Sequence, residues 1–250
     1  SWSSGQGRVN VVYVDPSNEN TIYIGTPAGG IWKSTTGGTN WAPLSDNLPQ
    51  IGVSGIAVDP TNSDIIYIAT GDKDASDSYS VGVMKSIDGG LTWNTTGLSF
   101  TNTNTFAGDI VINPTNVNEL LVATSDGIYK TSNAGTTWSQ VRTGSFSQGS
   151  IRLKPNNPNT VYAVSDNRFV RSTNFGSTFT TITTGLPSSS SRMLLDVTPA
   201  DENVIYILSA DNSSGFQGVY KSTNGGTNFT ATNTTTDVFE SNQAWYDLGL

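Results

Sequence analysis

A nine-residue motif occurs five times along this chain of 250 residues. Its clearest copy is KSIDGGLTW at 85–93, where a hydroxyl residue, a turn residue, a glycine and an aromatic residue follow one another at fixed spacing. The other copies keep this register: KSTTGGTNW at 33–41, KTSNAGTTW at 130–138, RSTNFGSTF at 171–179 and KSTNGGTNF at 221–229. A period of roughly 40–50 residues is typical of propellers and solenoids, so the chain is predicted to repeat one structural unit.

A second marker precedes each copy of the motif. It is a short polar turn that contains a proline, at Pro16, Pro60, Pro114, Pro155 and Pro199, and the successive spacings are 44, 54, 41 and 44 residues. A β-branched apolar run such as TIYIGT or IIYIAT follows each turn. In the first unit, alternating or apolar runs predict strands at 9–14, 21–26, 30–34 and 40–44. Four short antiparallel strands per repeat are typical of a propeller blade.

We therefore predict an all-β fold, a β-propeller of four-stranded antiparallel blades. The chain holds five blades and the first strand of a sixth, with predicted limits 8–46, 52–97, 107–143, 148–186, 191–232 and 244–250. Strand order places the proline turns and the five motifs at one end of the blades. The loops between strands 2 and 3 and those between blades fall at the other end, around the channel mouth. Insertions at 71–82 and 210–218 belong to that second end, where loop length varies.

The motif residues are predicted to be structural. An Asp or Asn in the turn accepts backbone N–H bonds, the glycine tolerates a positive φ, and the aromatic side chain packs into the blade. We expect the five aromatic residues to be largely buried. The predicted structural set is Ser34, Trp41, Ser86, Asp88, Gly90, Trp93, Asn133, Trp138, Asn174, Phe179, Asn224 and Phe229.

The motif resembles the Asp box of sialidases, sortilin-type receptors and xyloglucanases. Only Ser86 to Trp93 matches the pattern fully, because Asn replaces Asp in three copies and Thr36 replaces it in the first. The chain is also similar to the propeller region of large secreted bacterial proteins of the type IX secretion pathway. That likeness is carried by the segments GQGRVN (5–10), PAGGIWKSTTGGTNW (27–41), ATGDKDASDSYSVGVMKSIDGG (69–90) and AWYDLGL (244–250).

Composition excludes several classes of site. The chain has no Cys and no His, which rules out Cys/His zinc sites, thiol nucleophiles, Ser-His-Asp triads and disulfides within it. Its formal net charge of −8 at pH 7 disfavours nucleic acid and anionic membrane as partners. No apolar run approaches the roughly 20 residues that span a bilayer, so membrane insertion is not expected.

An acidic loop is the candidate metal site. Asp72, Asp74 and Asp77 lie within one short stretch, and hard carboxylate oxygens of this kind suit calcium. Calcium is the one cofactor that the sequence suggests. The stretch lacks the full spacing of an EF-hand, and a solvated acidic loop is the alternative interpretation.

A second candidate site lies at the channel mouth. Aligning the first strands of the blades brings together Arg8, Ser54, Asp109, Arg192, Tyr246 and Asp247. Arg, Asp and Tyr side chains suit a polar ligand such as a sugar, so a glycan or a protein is the predicted partner. The alternative is that these side chains pair with one another or with water.

Two functions follow from these observations. The first is a noncatalytic binding or display propeller of a large secreted or cell-surface protein, with secretion machinery as a further partner. The alternative is a glycoside hydrolase whose site is completed by blades beyond residue 250, which the incomplete sixth blade suggests. No sialidase motif surrounds the arginines, and a glycosidase needs two carboxylates at a defined separation. Asp109 and Asp247 are the one pair that the sequence nominates, so the noncatalytic function is the main expectation.

Overall fold

The computed structural model describes residues 7–49, 51–74, 78–101, 104–238 and 244. These residues form short β-strands that assemble into five four-stranded antiparallel sheets. Within each sheet the strands pair in the order in which they occur along the chain. The sheets are the blades of an all-β propeller and follow one another in a ring, which confirms the predicted fold class. In these residues no helix is long and apolar enough to cross a membrane.

The strands are divided evenly among the blades. Blade 1 consists of β1 (Val11–Asp15), β2 (Asn18–Gly25), β3 (Ile31–Ser34) and β4 (Ala42–Pro43). Blade 2 consists of β5 (Val53–Val58), β6 (Ile66–Thr70), β7 (Val83–Ser86) and β8 (Asn94–Thr95). Blade 3 consists of β9 (Ala107–Ile112), β10 (Leu120–Thr124), β11 (Gly127–Thr131) and β12 (Ser139–Thr143). Blade 4 consists of β13 (Ile151–Lys154), β14 (Asn157–Val164), β15 (Phe169–Ser172) and β16 (Thr180–Ile182). Blade 5 consists of β17 (Arg192–Thr198), β18 (Asp201–Ala210), β19 (Phe216–Ser222) and β20 (Thr230–Asn233).

The repeated motif lies in the turn between the third and fourth strands, which we call the Asp-box turn after the motif that it resembles, and its polar side chains form a network of hydrogen bonds. In blade 2, Ser86 Oγ donates to Asp88 Oδ1 at 2.7 Å and accepts from the Gly90 N–H at 2.9 Å. Asp88 Oδ1 also accepts the Thr92 N–H at 2.9 Å. Equivalent bonds form around Asn133, Asn174 and Asn224. The turn therefore needs an oxygen acceptor, and an amide oxygen serves as well as a carboxylate.

Blade 1 keeps this network although its box has neither Asp nor Asn. Thr36 Oγ1 accepts the Asn40 N–H at 2.9 Å, and Ser34 Oγ accepts the Gly38 N–H at 2.9 Å. The threonine hydroxyl thus replaces the missing carboxylate as the acceptor. The glycine is required for space as well as for its φ, since a Cβ on Gly90 would lie 2.7 Å from Leu44 Cδ1.

The Asp boxes and the turns between strands 1 and 2 share one end of every blade. In each blade a backbone N–H of the Asp-box turn donates to a carbonyl of the other turn or of the first residues of the second strand. These pairs are Gly37 to Asn20, Gly89 to Asp64, Ala134 to Asn118, Phe175 to Asn159 and Gly225 to Asn203, at 2.8–3.0 Å. The longer loops consequently lie at the opposite end, as the strand order predicted. We call this opposite end the mouth face.

Apolar clusters lie between successive blades. Side chains alternate along each inner strand, so that Ile56 and Val58 pack toward blade 1 while Ala57 packs toward blade 3. Similar clusters join blade 3 to blade 4 and blade 4 to blade 5. The core of the molecule is thus a series of interfaces between sheets, and each blade depends on its neighbours for burial of its apolar area.

The Asp-box aromatic residues pack into these interfaces, but less completely than the sequence suggested. Phe229 is buried, whereas Trp93, Trp138 and Phe179 are half-buried. Each of these four contacts the cluster shared with the preceding blade. The expected burial of Trp41 is wrong, because its side chain is 37% exposed. Blade 1 has no preceding blade among the described residues, so nothing there covers Trp41.

We predict that Trp93 and Trp41 differ in their effect on stability. The Trp93 indole N–H donates to the Leu44 carbonyl of blade 1 at 2.8 Å, whereas that of Trp41 donates to Gly38 within its own turn. Trp93→Ala should lower the free energy of unfolding by about 3 kcal/mol because it opens the interface between two blades. Trp41→Ala, the matched control, should cost less than about 1 kcal/mol. Urea denaturation measures both, and equal losses would contradict this account of the aromatic residue.

We also predict that Asp88 makes stability depend on pH in acid. Hydrogen bonds from the side chain and backbone of Thr92, and from Ser86, lower the pKa of Asp88 from 3.8 to about 2. Because the folded-state pKa is depressed, the contribution of the ionised form is complete above pH 3.8 and is lost as pH falls through 2. Asp88→Asn should keep the fold, as Asn does in blades 3 to 5. The difference in melting temperature between wild type and this variant should change only between these pH values. A difference that is constant down to pH 2 would show that the carboxylate contributes nothing.

Candidate functional site at the channel mouth

The segment 71–74 between β6 and β7 forms the mouth loop. Ser54 Oγ in β5 donates to the Gly71 carbonyl at 2.8 Å and accepts the Lys73 N–H at 3.0 Å. Gly71 has a φ of +118°, and a Cβ there would lie 2.8 Å from Phe106 Cβ of the neighbouring loop. Ser54 is fully buried, so this hydroxyl fixes the start of the loop instead of facing a ligand.

Asp72 joins the mouth loop to the segment before blade 1. Its fully buried carboxylate forms an ion pair with Arg8. Asp72 Oδ1 also accepts hydrogen bonds from Asn10 Nδ2 at 3.3 Å and from the Asp74 N–H at 3.2 Å. Both carboxylate oxygens of Asp72 are therefore engaged by groups of the protein.

The ion pair of Asp74 spans the channel mouth. Its Oδ1 lies 2.6 Å from Arg192 Nη2, although Asp74 belongs to blade 2 and Arg192 begins the inner strand of blade 5. Both side chains are nearly buried, with 12% and 4% of their surfaces exposed. Arg192 Nε also donates to the Gln148 carbonyl at 3.1 Å, in the loop between blades 3 and 4. The mouth loop is thus held from the far side of the ring.

A second set of ion pairs links blades 3, 4 and 5. Arg152 Nη1 donates to Asp109 Oδ2 at 2.7 Å, and Arg152 Nε donates to Asp196 Oδ1 at 3.2 Å. Burial alone would lower the pKa of Arg152, but the two carboxylates outweigh it and raise this pKa. Asp109 also accepts the backbone N–H groups of Ile110 and Ile151. These bonds fix the inner strands relative to one another.

Lys73 brings an amino group into this cluster. Burial lowers the pKa of its ammonium group, while the nearby carboxylates of Asp109 and Asp74 oppose the shift. Arg192 and Arg152 add to the lowering because they repel a further positive charge. The charges of neighbouring acidic and basic side chains therefore have opposing effects on the pKa of Lys73.

Asp166 is a carboxyl group of a different kind. It lies between β14 and β15 of blade 4, on the mouth face, and is half-buried. Burial raises its pKa, and Arg192 and Arg168 only partly offset the effect. Unlike the four paired aspartates, Asp166 forms no ion pair within the part of the chain that the structure describes.

The channel interior is separate from the mouth face. A cavity of about 410 Å³ lies among the inner strands of blades 1 to 4, with Asp109 and Arg152 in its wall. Its lining extends to Pro16, Pro60 and Pro114, which belong to the turns at the opposite end. The mouth loop and its ion pairs therefore lie across the channel on the mouth face, while the cavity extends toward the proline turns.

The predicted calcium ligands do not form a cation site among the residues that the structure describes. Asp72 and Asp74 bind two different arginines, and no group of three acidic side chains is arranged to hold a metal there. A calcium ion would have to compete with Arg8 and Arg192 for these oxygens. Asp77 lies outside the described residues, so calcium binding stays a prediction.

Three of the predicted ligand-binding residues belong to the described part of the chain. Each of these three forms an ion pair with another residue of the chain: Arg8 and Arg192 with the mouth loop, and Asp109 with Arg152 in the wall of the channel cavity. These ion pairs do not test ligand binding, so contact of the three residues with a ligand stays a prediction. Tyr246 and Asp247 lie outside the described residues, as does most of the predicted sixth blade.

Sequence reasoning missed Arg152, Lys73 and Asp166. A signal was present for Arg152 and its partner Asp196, since each stands three residues before the proline of its blade. A charged residue at that position of an otherwise apolar inner strand indicates a partner in the next blade. The sequence held no comparable signal for Lys73 or Asp166, because their environment is created by loops of other blades.

Comparison with known proteins gives one family model and a set of glycan-acting relatives. Residues 126–245, just under half of the chain, match the model described as sortilin, neurotensin receptor 3. A xyloglucanase of Paenibacillus sp is 30% identical over 152 residues, which cover 55% of this chain and 15% of that protein. Six curated relatives match, and each is described as a xyloglucanase. The chain therefore spans a small part of the length of these relatives.

Solved structures share the fold at lower identity. The GH74 enzyme of Niastella koreensis superposes with a TM-score of 0.70 at 22% identity, over 89% of this chain and 38% of that one. YCF48 from Cyanidioschyzon merolae superposes with a TM-score of 0.55 at 14% identity, over 94% of this chain and 89% of that one. At such identities the superpositions establish the propeller fold alone. The relatives and structures named above do not show the similarity to type IX secreted proteins.

The expectation of a noncatalytic binding or display propeller is wrong. The relatives that match by sequence are xyloglucanases, which favours the glycoside hydrolase alternative. The expectation rested on the absence of a recognisable catalytic motif around the arginines and carboxylates. Such an absence has little weight in this fold, because a propeller assembles its site from single residues on the loops of several blades.

We predict that removing either partner of the Arg192 and Asp74 pair destabilises the fold and that the two residues are energetically coupled. Removing one partner of a buried ion pair leaves the other charge uncompensated, so Arg192→Met or Asp74→Asn should lower the free energy of unfolding by about 3–5 kcal/mol. The double variant should cost clearly less than the sum of the two, because the residues interact directly. Arg142→Met, which removes a single surface hydrogen bond to Thr181, should cost less than about 1 kcal/mol. Additive losses in urea denaturation would show that the pair is not coupled.

Proposed function

We propose that this chain is part of a glycoside hydrolase that cleaves xyloglucan or a closely related polysaccharide. The observation that carries the proposal is the sequence similarity to xyloglucanases, which reaches 30% identity over 152 residues. A glycan is also the ligand class that the mixed Arg, Asp and Tyr side chains of the mouth suggested. The activity of the whole protein is inferred, since the chain covers only 15% of that relative.

The mouth face is the proposed substrate surface. Loops of several blades meet there, and the ion pairs of Asp72 and Asp74 hold the mouth loop in place. Rigidly supported loops suit a binding site, because the groups that contact the substrate stay in position. The opposite face consists of short repeated turns whose polar groups are used within the turns. Tyr246 and Asp247 stay predicted ligand contacts of this surface.

Asp166 is the proposed general acid. Glycoside hydrolases use two carboxyl groups, one of which must hold a proton that it gives to the leaving oxygen. Burial raises the pKa of Asp166 although Arg192 and Arg168 oppose the shift, and the loop that carries it, between β14 and β15, belongs to the mouth face. Asp74 and Asp109, by contrast, are held by arginines, and these pairs fix the mouth loop and the inner strands.

Extracellular action goes with this proposal, because polysaccharides of this size do not enter cells intact. Secretion through the type IX pathway rests on the resemblance of the segments at 5–10, 27–41, 69–90 and 244–250. It would be tested by locating the protein in cells with and without that secretion system. Retention inside cells that have the system would contradict it.

The hydrolase proposal is tested by turnover. The natural full-length protein should release reducing ends from xyloglucan, and Asp166→Asn should reduce kcat by a factor of about 100 or more, as expected for loss of a general acid. Asp64→Asn is the matched control, since Asp64 is an exposed aspartate on the Asp-box face. No turnover on a panel of β-glucans would refute the hydrolase, whereas turnover that is insensitive to Asp166→Asn would refute only the role of Asp166.

A further inference from the structure

One face of blade 1 is apolar and uncovered. We call it the open face and define it by Val9, Val12, Val14 and Trp41, whose side chains are 44%, 60%, 48% and 37% exposed. All four are among the few large hydrophobic residues that the described chain exposes. A monomeric soluble protein rarely exposes contiguous apolar residues in this way unless the surface has a partner.

The same position is covered in every other blade. Val12 pairs with Ile24 on the second strand, and the residues with the equivalent pairing are Ile56, Ile110, Ile151 and Leu195. These four are 5%, 3%, 0% and 1% exposed, against 60% for Val12. Each of them belongs to the apolar cluster shared with the preceding blade. The open face therefore has the composition of an interface between blades without a blade upon it.

A groove continues this face toward the mouth. It has a volume of about 510 Å³, and apolar side chains make up most of its lining, among them Val9, Ile24, Trp32 and Trp41. In blade 2 the aromatic residue equivalent to Trp41 is Trp93, which lies against blade 1 and bonds to its Leu44 carbonyl. The open face and the groove thus correspond to the inner-strand contacts and the aromatic contact of the interface that the chain already forms four times between blades.

We propose that the open face binds a further four-stranded blade of the same polypeptide, one that lies outside residues 1–250. Such a blade would present the face by which blades 1 to 4 contact their successors. The interface would repeat the existing ones, with Val12 and Val14 against its inner strands and Trp41 at its outer edge. The proposal is independent of the catalytic activity, because it rests on burial alone.

A second copy of the chain is a less suitable occupant. To repeat the interface, a second copy would have to offer the outward face of its blade 5. That face is already partly occupied, since Leu208 and Ala210 pack with the fully buried Ala244 from the segment that follows blade 5. Its half-buried residues Leu194, Phe216 and Val219 surround the same cluster. A blade supplied by the same polypeptide requires no displacement of this segment.

Thiol labelling of the natural full-length protein tests the proposal. Residues 1–250 contain no cysteine, so Val12→Cys places a single reporter in the open face. Mass spectrometry of the peptide that carries it gives its alkylation rate. Ile87→Cys, at a position 65% exposed on an Asp-box turn, gives the unprotected rate, and Ile56→Cys gives the protected one. Val14→Cys is a second reporter in case the first variant is unstable.

The proposal predicts that the thiol of the Val12→Cys variant alkylates at least about tenfold more slowly than the thiol at position 87, because access requires local opening. Its rate should be close to that of the thiol at position 56. The alkylation rate at position 12 should not change when the protein is diluted a hundredfold through about the micromolar range. A weakly associated second copy would dissociate over that range. Alkylation of the thiols at positions 12 and 14 as fast as at position 87 would overturn the proposal. Protection that disappears on dilution would overturn it in favour of a second copy.

Discussion

The apolar contact between successive blades is the interaction on which the rest of the structure depends. A four-stranded blade of this size has two apolar faces and little interior of its own, so it is stable only between neighbours. The alternation of side chains along an inner strand supplies both faces at once, with Ile56 toward one blade and Ala57 toward the next. The Asp boxes act at the outer edge of these contacts, because each fixes the hairpin that holds an aromatic residue against the preceding blade.

When the blades are packed against one another, charged residues near the channel come close enough to form ion pairs between blades. Arg8, Arg152 and Arg192 each pair with a carboxylate from another blade or from the mouth loop, so ion pairs link parts of the ring that are far apart in sequence. Such pairs contribute little net stability compared with apolar packing, but they favour one arrangement of the loops over others. A polysaccharide hydrolase needs such an arrangement, because loops recognise its substrate and carboxyl groups at a fixed separation carry out the chemistry.

Much of the fold could be predicted from the sequence because the motifs of one blade are repeated five times. The motif from Ser86 to Trp93 and the proline turns determine strand order, and strand order alone places them at one end of the blades. Burial was harder to predict: Trp41 has the same motif as Trp93, but its exposure depends on whether a blade precedes it. The site was harder still. The pairing of Asp74 with Arg192 joins residues 118 positions apart, and the environment of Asp166 depends on loops of other blades.

The most direct test of this account is a hydrogen-exchange footprint of a xyloglucan oligosaccharide on the natural full-length protein. The account predicts added protection on the mouth face, in the mouth loop at 71–74 and in the segments around Asp166 and Arg192. The Asp-box turns at the opposite end should exchange at unchanged rates. Protection confined to the Asp-box turns, or no protection at saturating oligosaccharide, would contradict the assignment of the mouth face as the surface that binds a glycan.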